Sequence, residues 1–400
     1  MESDCFIFPH IYFNMNKIIA FGLVLLSTSG FSQRFILSDS ATISVITCGP
    51  YGKELYAAFG HSAIRVNDPE LRFDAAYNYG VFDFNQPNFY LNFARGYLYY
   101  KLGVYNYIDF RDYYIEHNRF VHEQVLDLTA EQKQQIFDYL NWNSKPENQT
   151  YRYDYFYNNC ATKIRDVFAE VLQKDLTFDG SFIKTDYTIR ELTDLYLKPQ
   201  PWGDLGIDIC LGLPMDKKAS PYEYMFLPDY VESSFDHATV NNQPIVKKKN
   251  IIFTPHPEED SFELFHPWIV FGFFLALTLA LSFYDWKRKK ITKWFDVLLF
   301  SIVGWVGILL LILWVATDHQ AAARNLNLLW AFPLHAIAAV LLIKKKSSDF
   351  LIKYFQMTAI LLGSTLLFWW LLPQQLNVFL IPVVIALAIR SFLISKLLIK

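Results

Sequence analysis

The sequence predicts an α+β domain exported from the cytoplasm, followed by an all-α bundle of five transmembrane helices. Three observations carry that expectation: a leader-like apolar segment near the N-terminus, a first half rich in Tyr, Phe, Asn and Asp, and long apolar runs after about residue 264. The 53% hydrophobic content is too high for a wholly soluble chain. A net charge of -3 supplies no basic field, so nucleic acid is not an expected partner.

From Met15 the chain reads MNKIIAFGLVLLSTSGFSQ, with one Lys, an apolar core from Ile18 to Leu26, and Gly30 and Ser32 as cleavage positions. This is the pattern of a secretory signal peptide over residues 15–32, which makes Met15 the expected start and residues 1–14 an over-extended beginning. As a membrane anchor the core is short, since a span needs about 20 apolar residues. No Cys flanks the cleavage region, so the chain itself does not read as a lipoprotein.

Five runs approach the length of a bilayer core: His266 to Tyr284, Phe295 to Ala316, Leu326 to Ile343, Tyr354 to Leu372 and Leu376 to Ile394. Lys287, Arg288, Lys289, Lys290 and Lys293 follow the first run, and Lys344, Lys345, Lys346 and Lys353 follow the third. The positive-inside rule assigns both loops to the cytoplasm and the N-terminal domain to the opposite side, the periplasm of a bacterial inner membrane. The C-terminal tail, with Lys396 and Lys400, then ends inside. The outward loop TDHQAAARNLNLLW sets Asp318, His319, Arg324, Asn325 and Asn327 at the mouth of the bundle, where they either meet a lipid head group or serve as solvated caps.

In the first half, ATISVITCG reads as a strand of alternating apolar residues. The runs Phe59 to Val66 and Phe73 to Phe82 flank the turn formers NDPE and predict a hairpin. A register pairing Val66 with Leu71 to Phe73 sets His61 opposite or diagonal to Tyr77 and Asn78. Further on, RYDYFYNNCATKIRDVFAEVLQ turns helical at Cys160, with Ile164, Val167, Phe168, Val171 and Leu172 on one face and Asn158 or Asn159 as N-cap. A Cys in the first turn meets free N–H groups and the positive end of the helix dipole, which favour thiolate over thiol. Beside an imidazole such a Cys becomes a nucleophile, and a third polar group fixes the ring. His61 is the candidate base and Asn78 the candidate orienting group, with Asp74 and Tyr77 as rivals. The alternative for Cys160 is a packing residue or half of a disulfide. Of four Cys, Cys5 precedes the cleavage region, so Cys48, Cys160 and Cys210 remain, and a Cys48–Cys210 bridge is one pairing. The His and Cys spacings fit no metal motif, and nothing in the sequence points to an organic cofactor.

This order of strand His, polar residue on the next strand, and Asn-Cys at a helix start resembles the circularly permuted papain-like thiol enzymes, of which lecithin:retinol acyltransferase is one. More specifically, AFGHSAIRVNDP, AYNYGVFDF, YNNCATKIRD and TDHQAAARNLNLLW resemble the motifs of the Bacteroidetes-type lipoprotein N-acyltransferase family, Lnb, over about residue 38 to the end. The resemblance implies a permuted papain-like sheet with Cys160 on a helix N-terminus. It also implies transfer of an acyl chain from a phospholipid to the α-amine of the diacylglyceryl-modified N-terminal Cys of a lipoprotein. Cys160 would then be nucleophile, His61 base and Asn78 its holder, with ping-pong kinetics.

The expected organisation is thus a thiol domain over residues 33–200, an extension and linker over 201–264, and a membrane domain over 265–400. In the extension, Leu205, Ile207, Ile209, Leu211, Phe226 and Leu227 read first as core and second as lining of an acyl channel. Helices are expected at Thr129 to Asn141 and Ile189 to Leu197. Two rival functions keep the same residues: an NlpC-type cysteine peptidase or amidase, which has no use for five spans, and an envelope scaffold or lipid-binding protein in which His61 and Cys160 only pack.

Overall fold

Antiparallel strands dominate the first half of the computed structural model, which describes residues 35–257, 264–344 and 349–398. The expected signal peptide over 15–32 and the expected over-extended start over 1–14 lie outside the described residues. The described residues from Ser38 onward form one compact unit.

Alternating β-branched and aromatic residues build β1 (Thr42–Cys48), β2 (His61–Asp68), β3 (Phe73–Val81), β4 (Leu98–Asn106), β5 (Val121–Leu126) and β6 (Thr150–Tyr153). With β10 (Val246–Phe253) they form one sheet in the order β10-β5-β1-β2-β3-β4-β6, every pairing antiparallel. The short β7 (Leu176–Thr177), β8 (Thr239–Val240) and β9 (Gln243–Pro244) make a second, small sheet. The β2–β3 hairpin slides from its expected register, since Val66 pairs with Ala75 rather than with residues 71–73. The cause is the longer β2, which continues through Asn67 and Asp68 before the turn. Asp68 is buried and accepts from the Ser38 hydroxyl and the Leu71 amide, which stops the strand there.

The centre of the sheet is covered on both sides, so consecutive residues Val45 and Ile46 of β1 are both buried. Helix α1 (Phe89–Arg95) precedes β4, and α2 (Tyr107–Glu116) follows it, laying Tyr107, Phe110 and Tyr114 on Ile46, Cys48, Ala63 and Ala76. Helix α3 (Ala130–Asn143) begins in a capping box at Thr129, and α4 (Cys160–Leu172) packs on β2 and β3. Helix α5 (Ile189–Leu197) has the bounds its periodicity predicts.

Residues 201–237 divide their packing. Helices α6 (Pro201–Cys210), α7 (Pro221–Tyr224) and α8 (Pro228–His237) follow one another, and α8 packs on β1 and α4. Helix α6 instead docks on two loops of the helical half, the one after the helix Lys293–Val315 and the one after the helix Asp349–Leu367. Asn325 donates to the carbonyls of Ile209 and Cys210, Asn327 to those of Asp208 and Ile209, Gln374 to that of Leu211, and Asn377 to the carboxylates of Asp204 and Asp208. The fully buried Arg190 of α5 clamps Asp208 at 2.7 Å and Asp216 at 3.0 Å from the other side.

Among the described residues, four helices have the length and composition to cross a membrane: α9 (Pro267–Arg288), α10 (Lys293–Val315), α12 (Asp349–Leu367) and the stretch Val378–Leu397 that contains α13 (Ile381–Leu397). At the third expected span the helix is interrupted. Gln320–Leu329 and α11 (Leu334–Ile343) meet at a 43° bend, and counting them as one span brings the total to five. Proline at position 333 interrupts the helical ladder at that bend. Gly304 and Gly307 of α10 let the broken segment lie against α10 backbone to backbone, because a Cβ at Gly307 would come within 1.9 Å of the Ala331 carbonyl oxygen. Across α9, α10 and α13, Asp285, Asp296 and Arg390 form a buried ion cluster with Ser282.

Candidate active site

Cys160 is the first residue of α4, and local chemistry fixes it there. Asn159 is the N-cap: its side-chain oxygen accepts from the Thr162 amide at 2.9 Å, while the Thr162 hydroxyl accepts from the Asn159 amide at 2.8 Å. The Asn159 amide group also donates to the carbonyls of Tyr155 and Phe226, tying the helix start to the preceding loop and to the end of α7. The thiol is thereby presented, half-buried, at the positive end of a 13-residue helix.

His61 opens β2, and its side chain and that of Cys160 meet beside Gly80, 4.0 and 3.4 Å from its Cβ position. The imidazole stacks on Tyr114, with ring centroids 6.0 Å apart and planes at 15°, and its Nε2 lies 2.5 Å from Oδ1 of Asn78. Both other candidates for the orienting role are engaged elsewhere. Asp74 forms an ion pair with Arg65 at 2.8 Å, and the Tyr77 hydroxyl donates to Asn141. Asn78 is thus the member of the three that meets the ring.

Burial opposes charge on both partners, and for each it is the largest single influence. For Cys160 it is outweighed by the His61 charge, by the hydrogen bond from His61 and by backbone N–H groups of Ser62 and Ala161 aimed at the sulfur, so the thiol is held below its ordinary value of 9.0. For His61 the Cys160 charge and the bonds to Cys160 and Asn78 outweigh burial and the nearby Arg119 cation, which leaves its value raised above 6.5. A thiolate–imidazolium pair is the form these two shifts favour.

Cys48 and Cys210 are likewise free, so the Cys48–Cys210 bridge does not form. Cys48 is fully buried in the sheet core, and burial drives its thiol strongly upward, the opposite of Cys160. Three features of the site escape sequence reasoning: the Ser62 and Ala161 amides, the Tyr114 platform, and Gly80. At φ +91°, Gly80 passes so close to the nucleophile that a Cβ there would lie 3.4 Å from Cys160 Cβ. The register slip between Asn78 and Val81 makes it part of a bulge, and a glycine inside a strand pattern is the signal that points to one.

A cleft of about 340 Å³ opens beside the site, between Arg152, Tyr153, Tyr155 and Phe156 on one wall and Asp318 and His319 on the other. Arg152 and Asp318 are ion-paired across it, and His319 Nε2 is 3.1 Å from the Phe93 carbonyl. Asp318 and His319 therefore border open space, whereas Asn325 and Asn327 are buried and give their side-chain amides to the α6 carbonyls. Among the described residues one acidic group, Asp194, Asp204 and Asp208, has the spacing of a cation site. Asp208 is already neutralised by Arg190, and Asn377 bonds both Asp204 and Asp208.

Comparison with curated proteins and with solved structures gives no match. Residues 28–194 match the Lnb N-terminal periplasmic domain, and residues 258–400 match the Lnb transmembrane domain. With its two halves matched in order to the two parts of one family, the chain belongs to the Lnb family.

Proposed function

We propose that the protein is a lipoprotein N-acyltransferase of the inner membrane, moving an acyl chain from a phospholipid, through a thioester on Cys160, to the α-amine of a diacylglyceryl-modified N-terminal Cys. The observation that carries this reading is the Cys160–His61–Asn78 constellation at a helix N-terminus. It sits in a chain whose C-terminal part holds, among the described residues, four helices long and apolar enough to cross a membrane, or five if the bent pair counts as one span. In this reading a circularly permuted papain-like domain over residues 33–200 faces the periplasm. Residues 201–264 connect it to five spans over 265–400, and the basic loops after the first and third spans face the cytoplasm.

The chemistry balances on these residues. The Cys160 thiolate adds to the ester carbonyl, and the oxyanion that forms lies near the Ser62 and Ala161 amides. The intermediate collapses by breaking the C–O bond, and the His61 imidazolium gives its proton to the departing lysophospholipid oxygen. The lipoprotein amine then attacks the thioester, neutral His61 takes the proton from the new nitrogen, and the C–S bond breaks to return the thiolate. Both substrates are held in a bilayer, which gives the membrane half its purpose. The peptidase alternative leaves that half without one.

The test is mass spectrometry of the N-terminal lipopeptide of a reporter lipoprotein from cells lacking their own N-acyltransferase. With the wild-type protein the peptide gains the mass of one acyl chain, and with Cys160→Ala it does not. No gain from well-expressed wild type would overturn the transferase reading, and equal gain from both would remove Cys160 from it.

A further inference from the structure

The segment between β3 and β4 is unlike the rest of the soluble half. Helix α1, FYLNFAR, has no buried residue, and Phe84, Tyr90, Leu91 and Phe93 are 60%, 78%, 56% and 41% exposed. Such a concentration of bare aromatic and aliphatic side chains in a segment of a dozen residues marks an interaction surface.

Its position says what covers it. The Asp318 amide donates to the Arg95 carbonyl at 2.9 Å, and His319 Nε2 lies 3.1 Å from the Phe93 carbonyl. Asp318 and His319 belong to the short loop between α10 and the bent segment Gln320–Ile343, so α1 is bonded to the turn between two candidate membrane segments. Exposed rings at that level are where interfacial aromatic residues sit. Arg95 and Arg152 flank the Tyr97 ring at 5.2 and 5.0 Å, which adds cations at head-group height.

Rings also connect this surface to the nucleophile. Phe89 contacts Phe84 and Phe84 contacts Phe82, both at 4.9 Å between centroids, Phe82 contacts Tyr100 at 5.3 Å, and Tyr100 stacks on Tyr153 at 4.2 Å. Tyr153 ends the row 3.8 Å from the Cβ position of Gly80, whose other neighbours are Cys160 and His61. An unbroken row of rings thus runs from the exposed segment to the glycine that adjoins Cys160.

We propose that residues 82–99 form a lip that enters the outer leaflet, takes the acyl chain of a donor phospholipid and leads it along the row Phe84, Phe82, Tyr100 and Tyr153 to Cys160. The proposal rests on the acyl-transfer reading for its second half, while the seating of the lip in lipid is independent of any reaction.

Two measurements on the full chain in phosphatidylethanolamine–phosphatidylglycerol vesicles test it. In a Tyr90→Trp variant, the added emission relative to wild type is expected to be quenched by lipid brominated on its acyl chains; no added quenching would overturn the proposal. In a Phe84→Ser, Tyr90→Ser, Leu91→Ser variant, Cys160 acylation is compared between vesicle phospholipid and the water-soluble ester p-nitrophenyl butyrate. The ratio of lipid to soluble-ester rate is expected to fall at least about tenfold, the scale of losing one buried aromatic side chain. An unchanged ratio would overturn the lip as a lipid-loading element. If wild type acylates Cys160 from neither ester although the emission added by Tyr90→Trp is quenched, the transfer reading itself fails, and the delivery role falls with it.

Discussion

Nε2 of His61 lies 2.5 Å from Oδ1 of Asn78, and because that oxygen only accepts, the hydrogen on this side belongs to the ring. Nδ1 is then the nitrogen left to exchange a proton with Cys160. Asn78→Ala frees the ring to turn and is expected to lower the acylation rate about 10²-fold, the cost of an ångström-scale misplacement. Asn78→Asp keeps the acceptor and adds negative charge. A negative neighbour favours the imidazolium, so the alkaline limb of the pH–rate profile should move to higher pH. A limb that moves down or stays would mean that Asn78 does not touch the titrating ring.

The Cys160 thiol is reactive only as its thiolate, which gives an assay without substrate. The rate of iodoacetamide alkylation in the wild type should rise through an inflection below 9.0, the ordinary thiol value. His61→Ala removes the charge and the hydrogen bond but keeps the burial, so the inflection should move above 9.0. With less thiolate present, the rate at neutral pH should fall at least about tenfold. The buried Cys48 should stay unmodified in both proteins, since burial drives its pKa up.

Gly80 carries a backbone conformation that L-residues resist, beside the nucleophile. Gly80→Ala should cost ~1–2 kcal/mol of stability and slow Cys160 alkylation as well. Gly180 has φ +76° in a loop that packs on Pro221. Gly180→Ala should therefore lose comparable stability in thermal unfolding without slowing alkylation, which separates strain from a role at the thiol.

Within the membrane bundle, Arg390 reaches Asp296 at 2.7 Å and Asp285 at 2.8 Å. Arg390→Met leaves two carboxylates buried without their cation and should destabilise the detergent-solubilised protein by ~3–5 kcal/mol. Adding Asp285→Asn and Asp296→Asn removes the stranded charges and should recover most of the loss. If the single variant melts like wild type, the cluster does not hold these helices together.

Helix α4 was readable because an Asn cap, an apolar stripe and the Cys lie within one short stretch, a local code that left only the choice between Asn158 and Asn159 to the structure. The spans were readable for the same reason, and α9 and α10 begin within two residues of their expected starts. The hairpin register was not, because a strand displaced by an even number of residues keeps the same faces, and the choice belongs to Asp68 and its distant partner Ser38. The break in the third span depends on Gly304 and Gly307 of another helix. The docking of α6 depends on Asn325, Asn327 and Gln374, whose polar side chains look like loop residues until their carbonyl partners arrive from more than a hundred positions away.

That docking has a consequence for kinetics. With α6 bonded to loops of the helical half and α5 clamped to α6 by Arg190, the half that carries Cys160 is held against the helical half rather than swinging on a tether. In the proposed reaction, donor and acceptor are both anchored in one membrane plane and would meet such a fixed site as surface densities. Spreading a fixed amount of donor phospholipid through more inert lipid should slow turnover in proportion to its mole fraction, whereas diluting the whole vesicle suspension should leave turnover per enzyme unchanged.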